Sequence, residues 1–286
     1  MTEVSVIIPT FNRAQKVSRA ISSVLSQTFN DIELIVIDDG SIDETADVLA
    51  QFKDRITLIR HSENMGVSAA RNSGIKASRS PLIAFLDSDD WWMPEKLETQ
   101  VRYFRENPEV VICQTEEIWM RNGVRVNPWK KHIKPSGDIF EQSLKLCVVS
   151  PSAVMIRRSI FDEVGQFDEE FPVCEDYDLW LRIGCSYPIH LINKYLLVKE
   201  GGAIDQLSSS IKGMDRFRIK AMIKLLDSGS LSKDQTLAVY LELGRKCRIY
   251  GNGCIKRGRE EEGRFFLQLT EAIKRNDPLP DMDKFL

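Results

Sequence analysis

Short runs of apolar, largely β-branched residues alternate with segments of helical periodicity over the first 113 residues of the chain. Five such runs predict buried strands, at Val4–Ile8, Leu34–Ile37, Ile56–Ile59, Leu82–Leu86 and Val110–Cys113. The segments between them place apolar residues on one helical face, as Val17, Ile21 and Val24 do. This order predicts an α/β fold in which parallel strands are joined by right-handed helical crossovers.

Polar residues follow three of these strands at the point where each strand ends. They are Thr10-Phe11-Asn12, Asp38-Asp39-Gly40 and the acidic cluster Asp87-Ser88-Asp89-Asp90. Ligands of open α/β sheets bind outside the carboxyl ends of the strands. We therefore expect the three groups to converge on one binding site.

The acidic cluster places three carboxylates within four residues, and these repel one another unless a cation lies among them. Asp87, Asp89 and Asp90 have the oxygen ligands that Mg²⁺ or Mn²⁺ prefers, and such an ion would in turn hold a diphosphate. The alternative is a solvated turn whose acidic residues cap the helix that starts near Pro94.

Three further candidate residues, Asp39, Phe11 and Arg71, each have both a binding and a structural interpretation. The carboxylate of Asp39 can accept the N–H of a nucleobase. The alternative is that this cluster serves only helix capping by Ser41 and Asp38, since Ser41–Glu44 fits a capping box. Phe11 can stack on a base or pack in the core. Arg71 can reach a diphosphate or lie on the surface of a short helix.

Glu175 and Asp176 open a predicted helix in the second half of the chain. Carboxylates at this position are stabilised by the helix dipole, so capping is the structural alternative. The functional interpretation makes Asp176 a general base for a hydroxyl nucleophile. Trp91 and Trp92 either shape a sugar pocket or bury apolar area.

Beyond residue 115 the order of elements changes. Asn122-Gly123 within Trp119–Val126 predicts a β-hairpin. From Met214 the pattern is helical, and three helices are expected over Met214–Leu226, Lys233–Tyr250 and Arg257–Asn276, with turns at Gly229 and at Gly251/Gly253. We expect a sheet domain over residues 1–205, with halves 1–115 and 116–205, and a helical region over 206–286.

Composition narrows the class of protein. A net charge of −3 argues against a nucleic-acid binder. The six cysteines form no C-x-x-C pair and are expected to be reduced thiols of a cytoplasmic protein. Because the sequence shows neither a signal peptide nor a run of about 18 apolar residues, membrane association would be peripheral, at the inner face.

Five segments, in this order and at this spacing, resemble the signatures of family 2 glycosyltransferases with the GT-A fold. They are Ser5–Asn12 (SVIIPTFN), Ile37–Ser41 (IDDGS), Asn64–Asn72 (NMGVSAARN), Phe85–Asp90 (FLDSDD) and Glu175–Arg182 (EDYDLWLR). The resemblance covers about residues 3–200. It implies a Rossmann-like mixed sheet with flanking helices, to which the C-terminal helices are an appendage.

The resemblance also implies roles for particular residues. The nucleotide of a sugar donor, expected to be a UDP-sugar, would be bound by Pro9, Thr10, Phe11, Asp39 and Arg71, with Asp87 and Ser88. Asp89, with Asp87 and Asp90, would bind Mn²⁺ or Mg²⁺. Asp176 would be the base of an inverting transfer, and Trp91, Trp92, Ser152 and Glu175 would lie on the sugar and acceptor side.

One departure from the family pattern concerns the loop after the last predicted strand. Many relatives carry a His there, but this chain reads Gly201-Gly202-Ala203-Ile204-Asp205-Gln206. Asp205 or water would take the place of that metal ligand.

The leading hypothesis is therefore sugar transfer to a saccharide or lipid-linked saccharide in the synthesis of a bacterial surface glycan. A sugar nucleotidyltransferase is disfavoured because no Gly-rich loop with Arg and Lys follows the first strand. A dehydrogenase is disfavoured because G-x-G-x-x-G is absent. A non-catalytic nucleotide-binding scaffold is the remaining alternative, which the missing loop His favours.

Overall fold

The computed structural model describes residues 2–127, 132–201 and 213–275, together with residues 277, 280 and 282–285. Its strands, in chain order, are β1 Val4–Thr10, β2 Ile32–Asp38, β3 Thr57–Arg60, β4 Leu82–Phe85, β5 Trp91–Trp92, β6 Ile112–Arg121, β7 Val124–Val126, β8 Val154–Arg157 and β9 His190–Gly201. Its helices are α1 Ala14–Leu25, α2 Thr45–Ala50, α3 Val67–Ala77, α4 Lys96–Glu106, α5 Phe140–Lys145, α6 Ile160–Val164, α7 Glu175–Gly184, α8 Asp215–Asp227, α9 Lys233–Lys256 and α10 Glu260–Arg275. The predicted alternation of strand and helix is confirmed from β1 to β4.

All nine strands of the described chain belong to one mixed sheet. The order is β3-β2-β1-β4-β8-β6-β9-β5, and β7 pairs with β6 outside this path. Strands β1 to β4 run parallel to one another, as the sequence predicts. The sheet becomes mixed at β8, which is antiparallel to both β4 and β6. Consequently β1, β2 and β4 end at the same edge of the sheet.

The central strand β1 is buried on both faces because helices cover each side of the sheet. Val4, Val6 and Ile8 pack into one core with α1, whereas Ile7 points into a second core that contains residues of α3 and α7. This double burial explains why Val6, Ile7 and Ile8 follow one another as an apolar run instead of alternating with polar residues.

The turn between Trp119 and Val126 is the hairpin that the Asn-Gly pair predicts. Trp119 pairs with Val126 and Arg121 with Val124, so Asn122 and Gly123 form a two-residue connection. Both have positive φ angles, 51° and 74°, which suit Asn and Gly in such a turn. The strand before the turn is longer than expected, since β6 continues from Ile112 to Arg121.

The C-terminal helices pack on α5 and α7 through a third core that includes Phe140, Tyr177 and Met222. The predicted turn at Gly251/Gly253 is wrong, because α9 continues to Lys256. A Cβ atom on Gly251 would lie 2.8 Å from the carbonyl oxygen of Gly263. Gly251 therefore serves the close approach of α9 to α10, not a chain reversal.

No helix of the described residues is long and apolar enough to span a bilayer. All six cysteines are free. The predicted division between residues 205 and 206 falls outside the described residues and stays a prediction.

Candidate active site at the carboxyl ends of the strands

A cleft of about 710 Å³ opens at the edge where β1, β2 and β4 end. Its lining residues in the described chain are Pro9, Thr10, Phe11, Arg13, Asp39, Asn64, Gly66, Val67, Ala70, Arg71, Asp87, Ser88, Asp89, Asp90, Pro151, Pro172, Val173, Cys174, Glu175, Asp176, Lys199 and Met214. The structure thus brings together the three polar groups that follow the strands and adds the start of α7 to them.

Asp39 forms one end of the cleft and holds the loop that follows β3. Its Oδ1 accepts hydrogen bonds from the backbone N–H of Met65 at 3.0 Å and from Nδ1 of His61 at 2.7 Å, and its Oδ2 accepts from Gly66 N–H at 2.9 Å. The next residue, Gly40, has a φ of 75°, and a Cβ there would lie 2.4 Å from the backbone of Glu63. This corner therefore requires glycine.

The residues after β1 are tied to those after β2. The backbone N–H of Asn12 donates to Oγ of Ser41 at 2.9 Å, and Ser41 N–H donates to Oδ1 of Asp38 at 2.9 Å. The predicted capping box at Ser41 is wrong: α2 begins at Thr45, and the Ser41 hydroxyl binds Asn12 instead of the helix. These bonds hold Phe11 at the cleft, where 38% of its surface is exposed.

Arg71 is buried, so the surface position considered for it is wrong. Its Nη2 donates to Oδ1 of Asp87 at 2.7 Å, and its Nη1 donates to Oε1 of Glu175 at 2.6 Å. Burial lowers the pKa of Arg71, but the two carboxylates outweigh this effect and raise it. Burial and the neighbouring carboxylate of Asp176 raise the pKa of Glu175 to about 7 despite this ion pair. Arg71 thus joins the acidic cluster to the start of α7.

The three carboxylates of the acidic cluster have different surroundings. Asp87 is held by Arg71, and its backbone N–H donates to Oγ of Ser152 at 3.0 Å. Asp90 is buried; its Oδ1 accepts a hydrogen bond from the backbone N–H of Glu200 at 3.1 Å, and its Oδ2 has no hydrogen-bond partner among the described residues. Burial raises the pKa of Asp89 and of Asp90, and the negative charge of Asp87 adds to the effect in both.

The described residues that line the cleft carry more acidic than basic side chains, which favours the binding of a cation. Six of its described lining residues carry a carboxyl group, and only Arg13, Arg71 and Lys199 carry positive charge. No three His, Cys, Asp or Glu side chains in the described parts of the chain converge as ligands of a metal ion. The excess of carboxylates, and the Oδ2 of Asp90 that lacks a hydrogen-bond partner among the described residues, fit a divalent ion. Such an ion would take most of its ligands from outside the protein.

Asp176 lies in the first turn of α7 and faces the same cleft. The preceding Cys174 adopts a left-handed backbone conformation with a φ of 64°, which turns the chain sharply into the helix. Oδ2 of Asp176 accepts a hydrogen bond from Sγ of Cys147 at 3.5 Å. Burial and the charge of Asp176 raise the pKa of the Cys147 thiol well above its usual value, so this group remains a donor.

Lys199 is a residue of the cleft that the sequence analysis did not single out. It lies near the end of β9, and its Nζ donates to Oγ of Ser150 at 3.3 Å. Burial lowers the pKa of Lys199, but the carboxylates around it, from Glu117 and Asp90 to Asp176, raise it overall. The signal that could have identified it is a lysine placed directly after the buried apolar run Leu196–Val198 of this strand.

Three residues predicted on the acceptor side, Trp91, Trp92 and Ser152, are not among the described residues that line the cleft. Trp92 is buried, and its Nε1 donates to the carbonyl oxygen of Ser152 at 2.8 Å. Ser152 is buried too and holds Asp87 from behind. Trp91 lies against Arg19, whose guanidinium carbon is 3.8 Å from the ring centroid. Asp205 lies outside the described residues.

Comparison with known proteins identifies the relatives of this chain. Residues 5–165, more than half of the sequence, match the family model described as Glycosyl transferase family 2. An Escherichia coli protein named UDP-Glc:alpha-D-GlcNAc-diphosphoundecaprenol beta-1,3-glucosyltransferase WfgD is 35% identical over 191 residues, which cover 66% of this chain and 73% of that protein. A Rickettsia felis protein, named as an uncharacterized glycosyltransferase, is 32% identical over 219 residues, 73% of this chain but only 35% of its own length. The chain thus spans about a third of some of its curated relatives.

Two solved structures share the fold across almost the whole chain. Staphylococcus aureus TarS, residues 1–349, in complex with UDP-GlcNAc superposes with a TM-score of 0.66 at 16% identity, covering 97% of this chain and 93% of that one. The mannosyltransferase PcManGT from Pyrobaculum calidifontis, in complex with GDP-Man and Mn²⁺, gives 0.65 at 15% identity, covering 95% and 75%.

These matches confirm the GT-A fold that the five sequence segments imply. The family match begins at Ser5 on β1 and includes every strand end that lines the cleft up to the acidic cluster. The chain belongs to glycosyl transferase family 2.

Proposed function

We propose that this chain transfers a sugar from a UDP-sugar to a hydroxyl group of a lipid-linked saccharide, with inversion at the anomeric carbon. The observation that carries the proposal is that one cleft holds the strand-end residues, the acidic cluster and Asp176 together. The name of the E. coli relative supports both the donor and the lipid-linked acceptor. The TarS complex with UDP-GlcNAc supports the same donor class.

In this proposal the donor lies along the strand ends. Its base stacks on the exposed ring of Phe11 and meets the corner that Asp39 holds together. Thr10, whose buried Oγ1 has no hydrogen-bond partner in the described chain, faces the nucleoside. Asp87, fixed by Arg71, accepts a hydrogen bond from the ribose.

The acceptor hydroxyl is activated at the other side of the cleft. Asp176 takes the proton of that hydroxyl while its oxygen bonds to the anomeric carbon. The bond from this carbon to the diphosphate oxygen breaks in the same step, and the diphosphate leaves with the electron pair. Asp89 would hold Mg²⁺ or Mn²⁺ together with diphosphate oxygens, and the ion would supply positive charge to the leaving group.

A thermal-shift measurement with nucleotide-sugars, with and without Mn²⁺, tests the donor and the metal together. A ligand that binds only the folded state raises the melting temperature, so we expect the largest rise with UDP-sugars in the presence of Mn²⁺. In the Asp89→Asn variant the additional rise on adding Mn²⁺ should disappear. A larger shift with GDP- or dTDP-sugars would contradict the donor assignment, and an unchanged Mn²⁺ response in the variant would remove Asp89 from the metal site.

Lys199 is proposed as the fixed cation that faces the departing diphosphate. Its side chain lines the cleft, and its ammonium group interacts electrostatically with the carboxylates of Glu117, Asp90, Asp87 and Asp176. In Lys199→Gln we expect kcat to fall on the order of 10²-fold, because a preorganised positive group is lost where negative charge develops. Lys194→Gln, on the same strand but exposed, is the matched control. Equal kcat in wild type and Lys199→Gln would assign the lysine to structure alone.

A further inference from the structure

The hairpin of β6 and β7 belongs to a segment whose charge differs from that of the whole chain. Residues 118–137 contain five basic side chains and no Asp or Glu, although the protein carries a net charge of −3. Two of these basic residues, Arg121 and Arg125, are exposed on the hairpin itself. Neither forms an ion pair within the described residues, and Arg125 lies over the ring of Tyr195, with 6.0 Å from its guanidinium carbon to the centroid.

Large apolar side chains are exposed on the hairpin and on the segments next to it. The exposed fractions are 65% for Val124 in β7, 67% for Ile133 and 54% for Tyr195 in β9. The ring of His132, next to Ile133, packs on Trp119 with 5.2 Å between ring centroids, so this segment lies against the hairpin. Apolar side chains that remain in water beside unpaired cations are typical of an interaction surface.

The register of the sheet places this surface beside the mouth of the cleft. Trp119 in β6 pairs with Lys199 in β9, and Arg121 pairs with Gly201. Because side chains alternate along a strand, Trp119, Arg121 and, across the hairpin, Val124 share the face that carries Lys199. Lys199 lines the cleft, so the hairpin extends the cleft wall outward by two residue pairs.

We propose that the hairpin docks on an anionic lipid surface. This lipid-docking surface comprises both faces of the hairpin: Arg121 and Val124 share one face, Arg125 and Tyr195 lie on the other, and Ile133 belongs to the segment that packs against Trp119. Basic residues near a membrane are attracted by anionic headgroups, and apolar or aromatic side chains insert into the headgroup region. The unpaired arginines, the exposed apolar groups and the absence of acidic residues from 118 to 137 match that partner. Docking would present the cleft to hydroxyl groups held at the membrane.

Vesicle sedimentation tests this inference without any sugar donor, so its result does not depend on the proposed reaction. The full chain should pellet with phosphatidylcholine vesicles that contain about 30% phosphatidylglycerol, and several-fold less with phosphatidylcholine alone. Binding should weaken as salt is raised, because screening shortens the range of the attraction. The double variant Arg121→Ser/Arg125→Ser should lose most of the binding to the anionic vesicles, and Val124→Ser should reduce it in part.

A matched control comes from α9, which also exposes apolar and basic side chains. Leu241→Ser/Arg248→Ser removes one exposed side chain of each kind there and should leave vesicle binding unchanged. Melting temperatures close to that of wild type would show that all variants are folded. Failure of the wild type to prefer anionic vesicles would overturn the inference, as would loss of binding in the α9 variant but not in the hairpin variant.

Discussion

Replacement of Asp176 by Asn is expected to reduce sugar transfer by about 10²–10⁴-fold, the usual contribution of a positioned general base. The amide has nearly the same shape as the carboxylate but cannot accept the proton of the acceptor hydroxyl. Oδ2 of Asp176 accepts a hydrogen bond from the Cys147 thiol, and the amide oxygen of Asn can accept the same bond. Initial rates at saturating donor and acceptor measure the effect.

The binding of UDP and of the UDP-sugar provides the internal control for this variant. Asp176 lies on α7, apart from the strand ends that are proposed to hold the nucleotide, so calorimetry should give affinities near those of wild type. Asp54→Asn, at an exposed site that does not line the cleft, should keep full activity. Wild-type turnover in Asp176→Asn would exclude this residue as the base, even if the family assignment stands.

The second large effect concerns stability. In Arg71→Met the carboxylates of Asp87 and Glu175 lose the buried guanidinium that binds both. Removal of one partner from a buried ion pair costs about 3–5 kcal/mol in the free energy of unfolding. Asp87 keeps 29% of its side chain exposed, which lets water compensate in part, so the lower end of this range is expected.

Urea unfolding of Arg71→Met and wild type measures this cost through the midpoint concentration. Arg102→Met, on the exposed side of α4, removes an arginine of the same size and should leave the midpoint nearly unchanged. The double variant Arg71→Met/Glu175→Gln should recover part of the loss, because one of the stranded carboxylates is then neutral. A midpoint for Arg71→Met equal to that of wild type would show that the ion pair contributes nothing net.

The parts of the fold that follow from local pattern could be predicted from the sequence. Strands β1, β2 and β4 are continuous apolar runs because helices cover both faces of the sheet, and such runs end where the polar residues begin. Residues such as Asp39 and Asp87 could therefore be placed at one edge of the sheet before any coordinates. The Asn122-Gly123 turn was also predictable from local sequence, because few other residue pairs adopt the positive φ angles that such a turn requires.

Features that depend on distant partners could not be predicted. Ser41 has the spacing of a capping residue, but its hydroxyl accepts a hydrogen bond from the backbone N–H of Asn12, in the loop after β1. Gly251 looks like a helix end, yet it faces Gly263 across a helix contact. Lys199 joins the cleft only because β9 runs parallel to β6 and so reaches the acidic cluster. In each case a tertiary contact decides between two interpretations that are locally equal.

The double ion pair of Arg71 has a consequence for protein engineering. Its guanidinium connects residues from the two halves of the chain, Asp87 before residue 115 and Glu175 after it. If the first half binds the donor and the second half the acceptor, as proposed, a chimaera that joins the first half of this protein to the second half of a relative is expected to change the acceptor while keeping the donor. Such an exchange has to retain an acidic residue at the position of Glu175, or the grafted half leaves a buried cation half-neutralised. Donor and acceptor specificity can therefore be recombined in this way only between relatives that share Arg71 and both of the carboxylates it binds.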